Sequence, residues 1–463
     1  MLFDSLQFIL FYIVVTILYF SIRHRGRVWL LLLASCYFYL VFKPVYILIL
    51  LVTIVVDYFA GIWIANSEGK KRKWFLVLSL IANIGFLAFF KYWNFFNDNL
   101  THLLSLFGMV NHLPDYQLEL PIGLSFHTFQ AMSYTIEVYR RKQKPEKDFI
   151  IYSLYVMFYP QLVAGPIERP QNMLPQFHTY FKFNWENMKS GLMLMLWGLF
   201  KKVVISNRLA EMVDYCFDNP ADHPGLTLLV ASVFYSFQIY CDFSGYSDIA
   251  IGAGRTMGFR LMRNFDVPYL SKSIGEFWRR WHISLSTWFK DYLYIPLGGS
   301  REGEWKLYRN LAIVFLVSGL WHGAAWTFII WGGLHAVFQI LARMRDRYLP
   351  FRIPKNDVLS VVFTFVLVTV AWVFFRASGM HNATVILGKL LRFDFFSGYS
   401  MPYSVPEFLF CWLLIAVLFL KDIFAREIAV RNTPVFYLKF AGLAILCYFF
   451  GVFSGEQFIY FQF

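Results

Sequence analysis

The sequence has 463 residues, of which 58% are hydrophobic and 15% are charged, and its mean hydropathy is +0.51. Soluble domains are about half apolar and about a quarter charged, so this composition excludes an ordinary soluble domain and indicates a polytopic membrane protein. The 42 basic and 29 acidic residues leave a charge of +13, but the basic residues form short clusters between apolar runs, which favours cytoplasmic loops and membrane lipids over nucleic acid as a partner.

The apolar segments, each of which we predict to be a helix, lie at residues 6–22, 28–42, 46–65, 75–91, 121–139, 149–164, 189–205, 226–247, 309–329, 331–343, 357–375, 406–423 and 436–453. Several of them reach the length of about 18 apolar residues that is needed to cross a bilayer. We find no internal repeat and no soluble domain. The sequence therefore predicts one membrane domain over residues 1–463.

Basic clusters between these segments predict which loops are cytoplasmic. If the clusters at residues 23–27, 70–73 and 140–147 are cytoplasmic, Phe463 lies outside. The alternation fails once, because Lys201 and Lys202 also resemble a cytoplasmic loop and only one span separates them from the basic region at residues 255–309. One segment there should be re-entrant or interrupted, and the stretch "YPQLVAGPIERPQNMLPQF" is the expected irregular piece.

The stretch "SKSIGEFWRRWHISLSTWFKDYLYIPLGGSR" predicts an amphipathic helix. One face is apolar and mostly aromatic, with helical spacing, and comprises Phe277, Trp281, Leu285, Trp288 and Tyr292. On the other face Glu276 and Arg280 have the spacing of an ion pair. The simplest interpretation is a helix at the cytoplasmic membrane interface, with His282 at the rim of its aromatic face.

A second histidine, His322, lies in "SGLWHGAAW" inside a predicted span. Its depth is about 20 Å along a helix that rises 1.5 Å per residue. Gly319 and Gly323 bracket it with the GxxxG spacing that lets another backbone approach closely. Two interpretations stay open: a neutral histidine that packs at a helix interface, or a general base in a cavity.

Other polar residues inside apolar segments have simpler interpretations. We expect His127 to belong to a polar packing seam and His335 to be structural. Asp242 and Asp248 are expected either to join helices, paired with an arginine such as Arg255, or to line a polar path. The five cysteines show no metal-ligand or disulfide spacing. Serine hydrolase, metalloprotease and phosphate-loop motifs do not occur.

Two long motifs, "FWRRWHISLSTWFKDYLYIPLGGSR" and "SGLWHGAAWTFIIWGGLH", give the sequence a recognisable pattern. With them, the chain resembles the membrane-bound O-acyltransferase (MBOAT) family. The stretches "LPIGLSFHTFQAMSYTIEVYR", "FYPQLVAGPIERPQNMLPQF" and "QIYCDFSGYSDIAIG" make it similar to the alginate O-acetyltransferase (AlgI-like) branch of that family. The resemblance extends over nearly the whole chain.

The resemblance implies an all-α bundle of about 11 to 13 transmembrane helices, long enough to span, with re-entrant or amphipathic helices around a central channel. His322 matches the family's catalytic histidine and His282 its second, supporting polar position. The arginines beside His282, Arg279 and Arg280, and with them Asp291, are then expected to bind the donor. No metal is expected.

The same resemblance implies a function in the bacterial inner membrane. The donor would be cytoplasmic acetyl-CoA, with no bound cofactor, and a periplasmic SGNH-type acyltransferase would be the partner. The acetyl group would reach an exopolysaccharide such as alginate or cellulose, or peptidoglycan. Acyl transfer of the teichoic-acid D-alanylation (DltB) type is an alternative. A transporter with a proton path through His322 and Asp242, or a scaffold without catalysis, are the rival classes.

Overall fold

The computed structural model describes residues 1–116, 120–163, 165–301, 303–348, 356–392, 398–425, 433–453 and Ile459. Most of the chain in these ranges is helical, and the ranges contain no strand. The helices of the first part are α1 Leu6–Ser21, α2 His24–Leu40, α3 Ile47–Ala65, α4 Gly69–Leu87, α5 Trp93–Ser105, α6 Leu124–Tyr139, α7 Phe149–Met157, α8 Tyr159–Leu162, α9 Pro170–Phe177 and α10 Trp185–Leu199. The prediction for Phe463 lies outside the described residues.

The remaining helices are α11 Asn207–Asp218, α12 Gly225–Thr256, α13 Ile274–Arg280, α14 Ile283–Phe289, α15 Glu304–His322, α16 Trp326–Tyr348, α17 Asp357–Arg376, α18 Met380–Leu391, α19 Val405–Phe424 and α20 Thr433–Phe450. Every predicted apolar segment coincides with one or more of these helices. The predicted helices leave out α5, α9, α11 and α18, and the interrupted or more polar sequences of these helices explain the omission. Helices α13 and α14 lie in the stretch that was predicted as one amphipathic helix.

Five helical stretches in the described ranges are long and apolar enough to cross a membrane. They are Pro44–Ala65, Gly69–Ser105, Gly225–Thr256, Trp326–Tyr348 and Asp357–Arg376. Large apolar side chains such as Leu48, Ile81 and Val358 lie exposed on three of them, and so much exposed apolar surface indicates contact with lipid. The prediction of an all-α polytopic membrane protein is confirmed.

The chain divides into two compact units. The first contains Met1–Leu192 and Ile249–Met262, and the second contains Met193–Asp248 and Arg263–Phe463. In the first unit, α3, α4 and α6 pack together. Arg72 of α4 is buried there and donates hydrogen bonds of 2.8 Å to the carbonyl oxygens of Val138 and Tyr139, at the C-terminal end of α6. Cations are favourable at that end of a helix.

The stretch from α7 to α9 is irregular, as predicted. Helix α7 has nine residues and α8 has four, and at 1.5 Å per residue even α7 is only about 14 Å long. Neither helix can cross about 30 Å of hydrocarbon. Side chains satisfy the interrupted backbone: for example, Gln161 Nε2 donates to the carbonyl oxygen of Tyr155 at 2.7 Å.

The interpretation of Lys201 and Lys202 as loop residues is wrong. Both lie in a π-helix, Phe200–Ser206, that joins α10 directly to α11, and they are 4% and 2% exposed. Lys202 pairs with Asp242 at 2.7 Å and Lys201 with Asp248 at 2.8 Å. The pairing predicted for these aspartates with an arginine is therefore also wrong. A glycine on α12 lets this helix approach the segment that carries the two lysines. A Cβ at Gly245 would lie only 2.7 Å from the carbonyl oxygen of Gly198.

In the second unit, α15 and α16 form a closely packed hairpin. A Cβ at Gly319 would overlap the carbonyl oxygen of Phe328, and a Cβ at Gly332 would overlap that of Phe315. Only glycine allows the two backbones to come so near. The close approach predicted around His322 is confirmed, and it places the end of α15 directly against α16.

Candidate active site

His322 is the last residue of α15. The prediction that it lies inside a continuous span is wrong. The chain leaves the helix at Gly323, and α16 begins at Trp326. A Cβ at Gly323 would overlap the ring of Phe328, so the glycine allows the turn to pack against α16. His322 is nevertheless buried, with 4% of its surface exposed.

Aromatic rings enclose the His322 imidazole. Trp321, Trp331 and Phe375 meet it edge to face, with ring centroids 4.8, 4.9 and 5.4 Å away. Trp331 comes from α16 and Phe375 from α17, so residues of three successive helices surround the imidazole. In such surroundings a neutral imidazole is favoured over an unpaired cation, and a neutral imidazole is the form that accepts a proton.

The prediction that His282 lies at the rim of a continuous amphipathic helix is wrong. Helix α13 ends at Arg280 and α14 starts at Ile283, and His282 between them adopts a left-handed conformation with φ +43° and ψ 55°. Its side chain is fully buried. Histidine is one of the few residue types enriched in this region of backbone space, but the regular aromatic spacing concealed the break.

The predicted aromatic face is buried inside the protein and not in a membrane interface. Phe277, Trp281, Leu285 and Trp288 are each 7% exposed or less. Trp281, for example, lies 5.1 Å from Trp372 of α17, centroid to centroid. The face therefore anchors α13 and α14 to the rest of the second unit, and it fixes the position of His282 between them.

Asn264, which sequence reasoning missed, holds His282 in place. Its carbonyl oxygen accepts the N–H of Ile283 at 2.9 Å. Its side-chain Oδ1 accepts from the backbone N–H and the hydroxyl of Ser284, at 3.2 and 2.9 Å, and lies 3.2 Å from His282 Nδ1. Asn264 thus caps the first turn of α14 from a separate segment. No local motif around "RNFD" signals this role.

The Asn264 contact also fixes the tautomer of His282. A backbone N–H can only donate, so the Asn264 atom that faces Ser284 N must be the oxygen. His282 Nδ1 then has to carry a hydrogen to bond with that oxygen. In the neutral ring Nε2 is left as the proton acceptor.

Trp321 links the two histidines. Its ring centroid lies 6.3 Å from that of His282 and 4.8 Å from that of His322. The two histidines are 40 positions apart in sequence (322 − 282); His282 lies between α13 and α14, and His322 ends α15. The fold therefore brings the two predicted catalytic residues next to one buried indole.

The predicted donor-binding residues lie close to His282 in sequence but differ in their state. Arg280 forms the predicted ion pair with Glu276, at 2.6 Å. Arg279 is exposed and forms no ion pair within the described ranges. Asp291 is half-exposed in a short π-helix, Lys290–Tyr294, that follows α14. Of the two arginines, Arg279 is the one whose guanidinium is available.

Metal ligation has no support in the part of the chain that the structure describes. No group of three or more His, Cys, Asp or Glu side chains there is placed to hold a metal ion. The five cysteines are all free.

We expect acid to destabilise the protein through His282. Burial lowers the pKa of its imidazole from 6.5 to about 3. Between these values the unfolded chain binds a proton that the folded ring does not, so stability that is complete above pH 6.5 is lost as the pH falls towards 3. The loss is at most about 1.4 kcal/mol per pH unit.

The measurement is the unfolding midpoint of the purified protein at pH 7 and at pH 5. His282→Asn is the matched variant, because asparagine tolerates the left-handed conformation and keeps a donor for Asn264 but does not titrate. The variant should lose less stability between the two pH values than the wild type. Equal losses would show that His282 is not the acid-sensitive group.

Comparisons with known proteins identify the family of the chain. Residues 140–381, which contain both histidines, match the sequence model of the membrane-bound O-acyltransferase (MBOAT) family. The chain is 40% identical to the probable alginate O-acetylase AlgI of Pseudomonas aeruginosa over 83% of its own length and 73% of that protein. It is 38% identical to the peptidoglycan O-acetyltransferase of Helicobacter pylori, over 83% and 77% of the two chains.

A more distant similarity extends to another acyl transfer reaction. The teichoic acid D-alanyltransferase of Bacillus subtilis is 26% identical over 58% of this chain and 72% of that protein. The family match, the high coverage by its relatives and the apolar helices lead to one conclusion. The chain belongs to the membrane-bound O-acyltransferase family and is a multi-pass membrane acyltransferase.

Proposed function

We propose that this chain is an O-acetyltransferase that moves acetyl groups from cytoplasmic acetyl-CoA across the bacterial inner membrane, for O-acetylation of an exopolysaccharide such as alginate or cellulose. A periplasmic SGNH-type acyltransferase is the proposed partner, and residues 1–463 act as one membrane domain. The observation that carries the proposal is the burial of His322 and His282 around Trp321. The similarity to AlgI proteins supports the choice of reaction.

The two histidines have different roles in the proposed reaction. His322 takes the proton of the acceptor hydroxyl as its oxygen attacks the acetyl carbonyl carbon, and the proton then passes to the departing sulfur. The carbon–sulfur bond breaks and a carbon–oxygen bond forms, so a thioester and an alcohol become an ester and a thiol. His282, held by Asn264 with its Nε2 as an acceptor, orients a hydroxyl or a water in the same pocket.

The proposed topology follows from the corrected fold. With Lys201 and Lys202 buried in a helix and α7 to α9 too short to cross, the basic loops at residues 140–147 and 255–309 lie on the same side, the cytoplasm. The continuous helical segment from α10 to α11 then crosses the membrane outwards, and α12 crosses it back to the cytoplasm. The alternation of basic loops no longer fails.

Arg279 is the proposed contact for the phosphates of the donor. Arg279→Gln should raise the KM for acetyl-CoA at least about fivefold and change kcat little, because a ground-state contact is lost. Initial rates at varied acetyl-CoA measure both constants. Arg345→Gln is the matched control, since Arg345 is exposed in α16 and its ion pair among the described residues is with its neighbour Asp346. Equal KM values in both variants would remove Arg279 from the donor site.

The direct test is acetyl transfer by the purified protein. Labelled acetyl-CoA is supplied together with the purified periplasmic partner, and the acceptor is either an alginate oligomer or a peptidoglycan fragment. Label in the alginate supports the proposal. Label only in peptidoglycan favours the second candidate, which the similarity to the Helicobacter pylori enzyme suggests. Export of substrate without acetyl transfer would support a transporter, and no transfer at all would support a scaffold.

A further inference from the structure

Two buried N–H groups of α16 have no hydrogen-bond partner in the part of the chain that the structure describes. Trp331 Nε1 and His335 Nε2 are both buried and unbonded within the residues described. Both residues are 0% exposed. An indole Nε1 always carries a hydrogen. A buried donor without an acceptor costs about 1 to 3 kcal/mol, so two of them side by side require an explanation.

The contact that Nδ1 of His335 makes shows which ring nitrogen carries the hydrogen. Trp278 Nε1 lies 3.2 Å from His335 Nδ1, and because an indole N–H can only donate, Nδ1 must be the acceptor. In the neutral imidazole the hydrogen is then on Nε2. The ring is neutral because it is surrounded by aromatic rings, where an unpaired cation would be costly. His335 Nε2 is therefore a donor, like Trp331 Nε1.

Both donors lie on the same face of α16. Residues 331 and 335 are one helical turn apart, and their rings are 5.1 Å apart, centroid to centroid. The Trp331 ring lies 4.9 Å from that of His322. Trp331 is thus the donor that lies beside the proposed base, and His335 is the donor beside Trp331.

We propose that Trp331 and His335 form the oxyanion site of the enzyme and bind the carbonyl oxygen of the acetyl thioester. This inference rests on the proposed function. When the acceptor oxygen attacks, the carbonyl π electrons move onto the carbonyl oxygen, and the two N–H groups stabilise the resulting negative charge. The charge returns to the carbonyl as the carbon–sulfur bond breaks. Preorganised donors in a dry pocket are suited to this task.

The test is the acetyl-CoA transfer assay with Trp331→Phe, which keeps an aromatic ring and removes the N–H. Because loss of one oxyanion donor typically costs about 100- to 1,000-fold in kcat, we expect a loss in that range with a KM for acetyl-CoA within about threefold. The matched control is Trp372→Phe. Trp372 is 1% exposed and stacks on Trp331 at 5.7 Å, but its N–H is already bonded to the Tyr269 hydroxyl at 3.2 Å.

Position 335 provides an independent comparison. Glutamine can accept from Trp278 and donate in the place of Nε2, so His335→Gln should keep at least about a third of the wild-type kcat. Phenylalanine can do neither, and His335→Phe should lose about 100-fold. If His335 had only a structural role, His335→Phe would lose activity only in proportion to the folded protein that it loses, which thermal unfolding of the purified proteins would show, and a well-folded His335→Phe with wild-type kcat would remove His335 from the oxyanion site.

The outcomes separate this inference from the proposed function. If the wild type is active and Trp331→Phe is no slower than Trp372→Phe, the oxyanion site is wrong and the proposed function stands. If the wild type transfers no acetyl group, both are wrong. Should Trp331→Phe fail to fold, 3-benzothienylalanine at position 331 replaces only the N–H by sulfur, and the same kcat loss is expected of it.

Discussion

His322→Gln should fold and insert normally but lose acetyl transfer by about 100- to 10,000-fold, the usual cost of removing a general base. Glutamine has a similar size and keeps a donor and an acceptor, so the packing against Trp321, Trp331 and Phe375 is disturbed little. It does not take up a proton near neutral pH. The measurement is the rate of acetyl transfer by the purified variant, after monodisperse elution in detergent.

His127→Gln is the matched control for this variant. His127 is also a buried helical histidine, 1% exposed, and its Nδ1 lies 3.2 Å from the carbonyl oxygen of Gly123. Its replacement should leave the rate within about threefold, because glutamine can make the same contact. If folded His322→Gln keeps more than about a tenth of the wild-type rate, well short of the expected loss, the imidazole is not the base.

The positions of the helices could be predicted because apolar runs of this length have few alternatives. The end of α15 at His322 could not be predicted in the same way. The residues from Leu311 to Trp326 are almost all apolar, and only the contact with Phe328 of the next helix determines where the chain leaves α15. Apolar periodicity therefore located the hairpin but placed its turn too late.

The break at His282 was hidden for a related reason. The aromatic residues on either side keep a helical spacing, and the contacts that interrupt the helix come from Asn264, 18 positions earlier in the chain. A hydrogen bond between residues that are distant in the chain does not change the periodicity of the sequence. For the same reason the sequence could identify His282 as a functional candidate through its family resemblance, but it could not indicate the residue that orients it.

The charged pairs in the second unit show the limit of counting charges. Lys201 and Lys202 have the sequence appearance of a short basic loop, and their partners Asp248 and Asp242 lie on α12, some 40 positions later. Charge clusters predict topology only when the side chains reach water. Here each cation is neutralised by a carboxylate, so the lysines can remain buried within a continuous helix.

Lys202→Met should destabilise the protein by about 3 to 5 kcal/mol, because it leaves the Asp242 carboxylate buried without its cation. Both side chains of the pair are 3% exposed or less, and the N–H of Ile459 also donates to Asp242, at 2.8 Å. The measurement is the free energy of unfolding of the purified protein in mixed detergent. The double variant Lys202→Met/Asp242→Leu, which removes both charges, should recover most of the loss.

Lys272→Met provides the control, since Lys272 pairs with Asp357 at a similar distance, 2.6 Å, but both side chains are more than half exposed. Exposed pairs contribute about 0 to 1 kcal/mol, and this variant should be almost as stable as the wild type. If Lys202→Met is equally stable, the buried pair does not hold α12 against the π-helix.

The double variant also decides between two roles for Asp242. A proton path through the membrane needs a carboxyl group that can take up and release protons, and leucine at position 242 would interrupt it. An ion pair that only joins helices is replaceable by apolar side chains of similar volume. We therefore expect the folded Lys202→Met/Asp242→Leu protein to transfer acetyl groups at a rate within about threefold of the wild type. A folded but inactive double variant would instead place Asp242 on a proton path and favour the transporter.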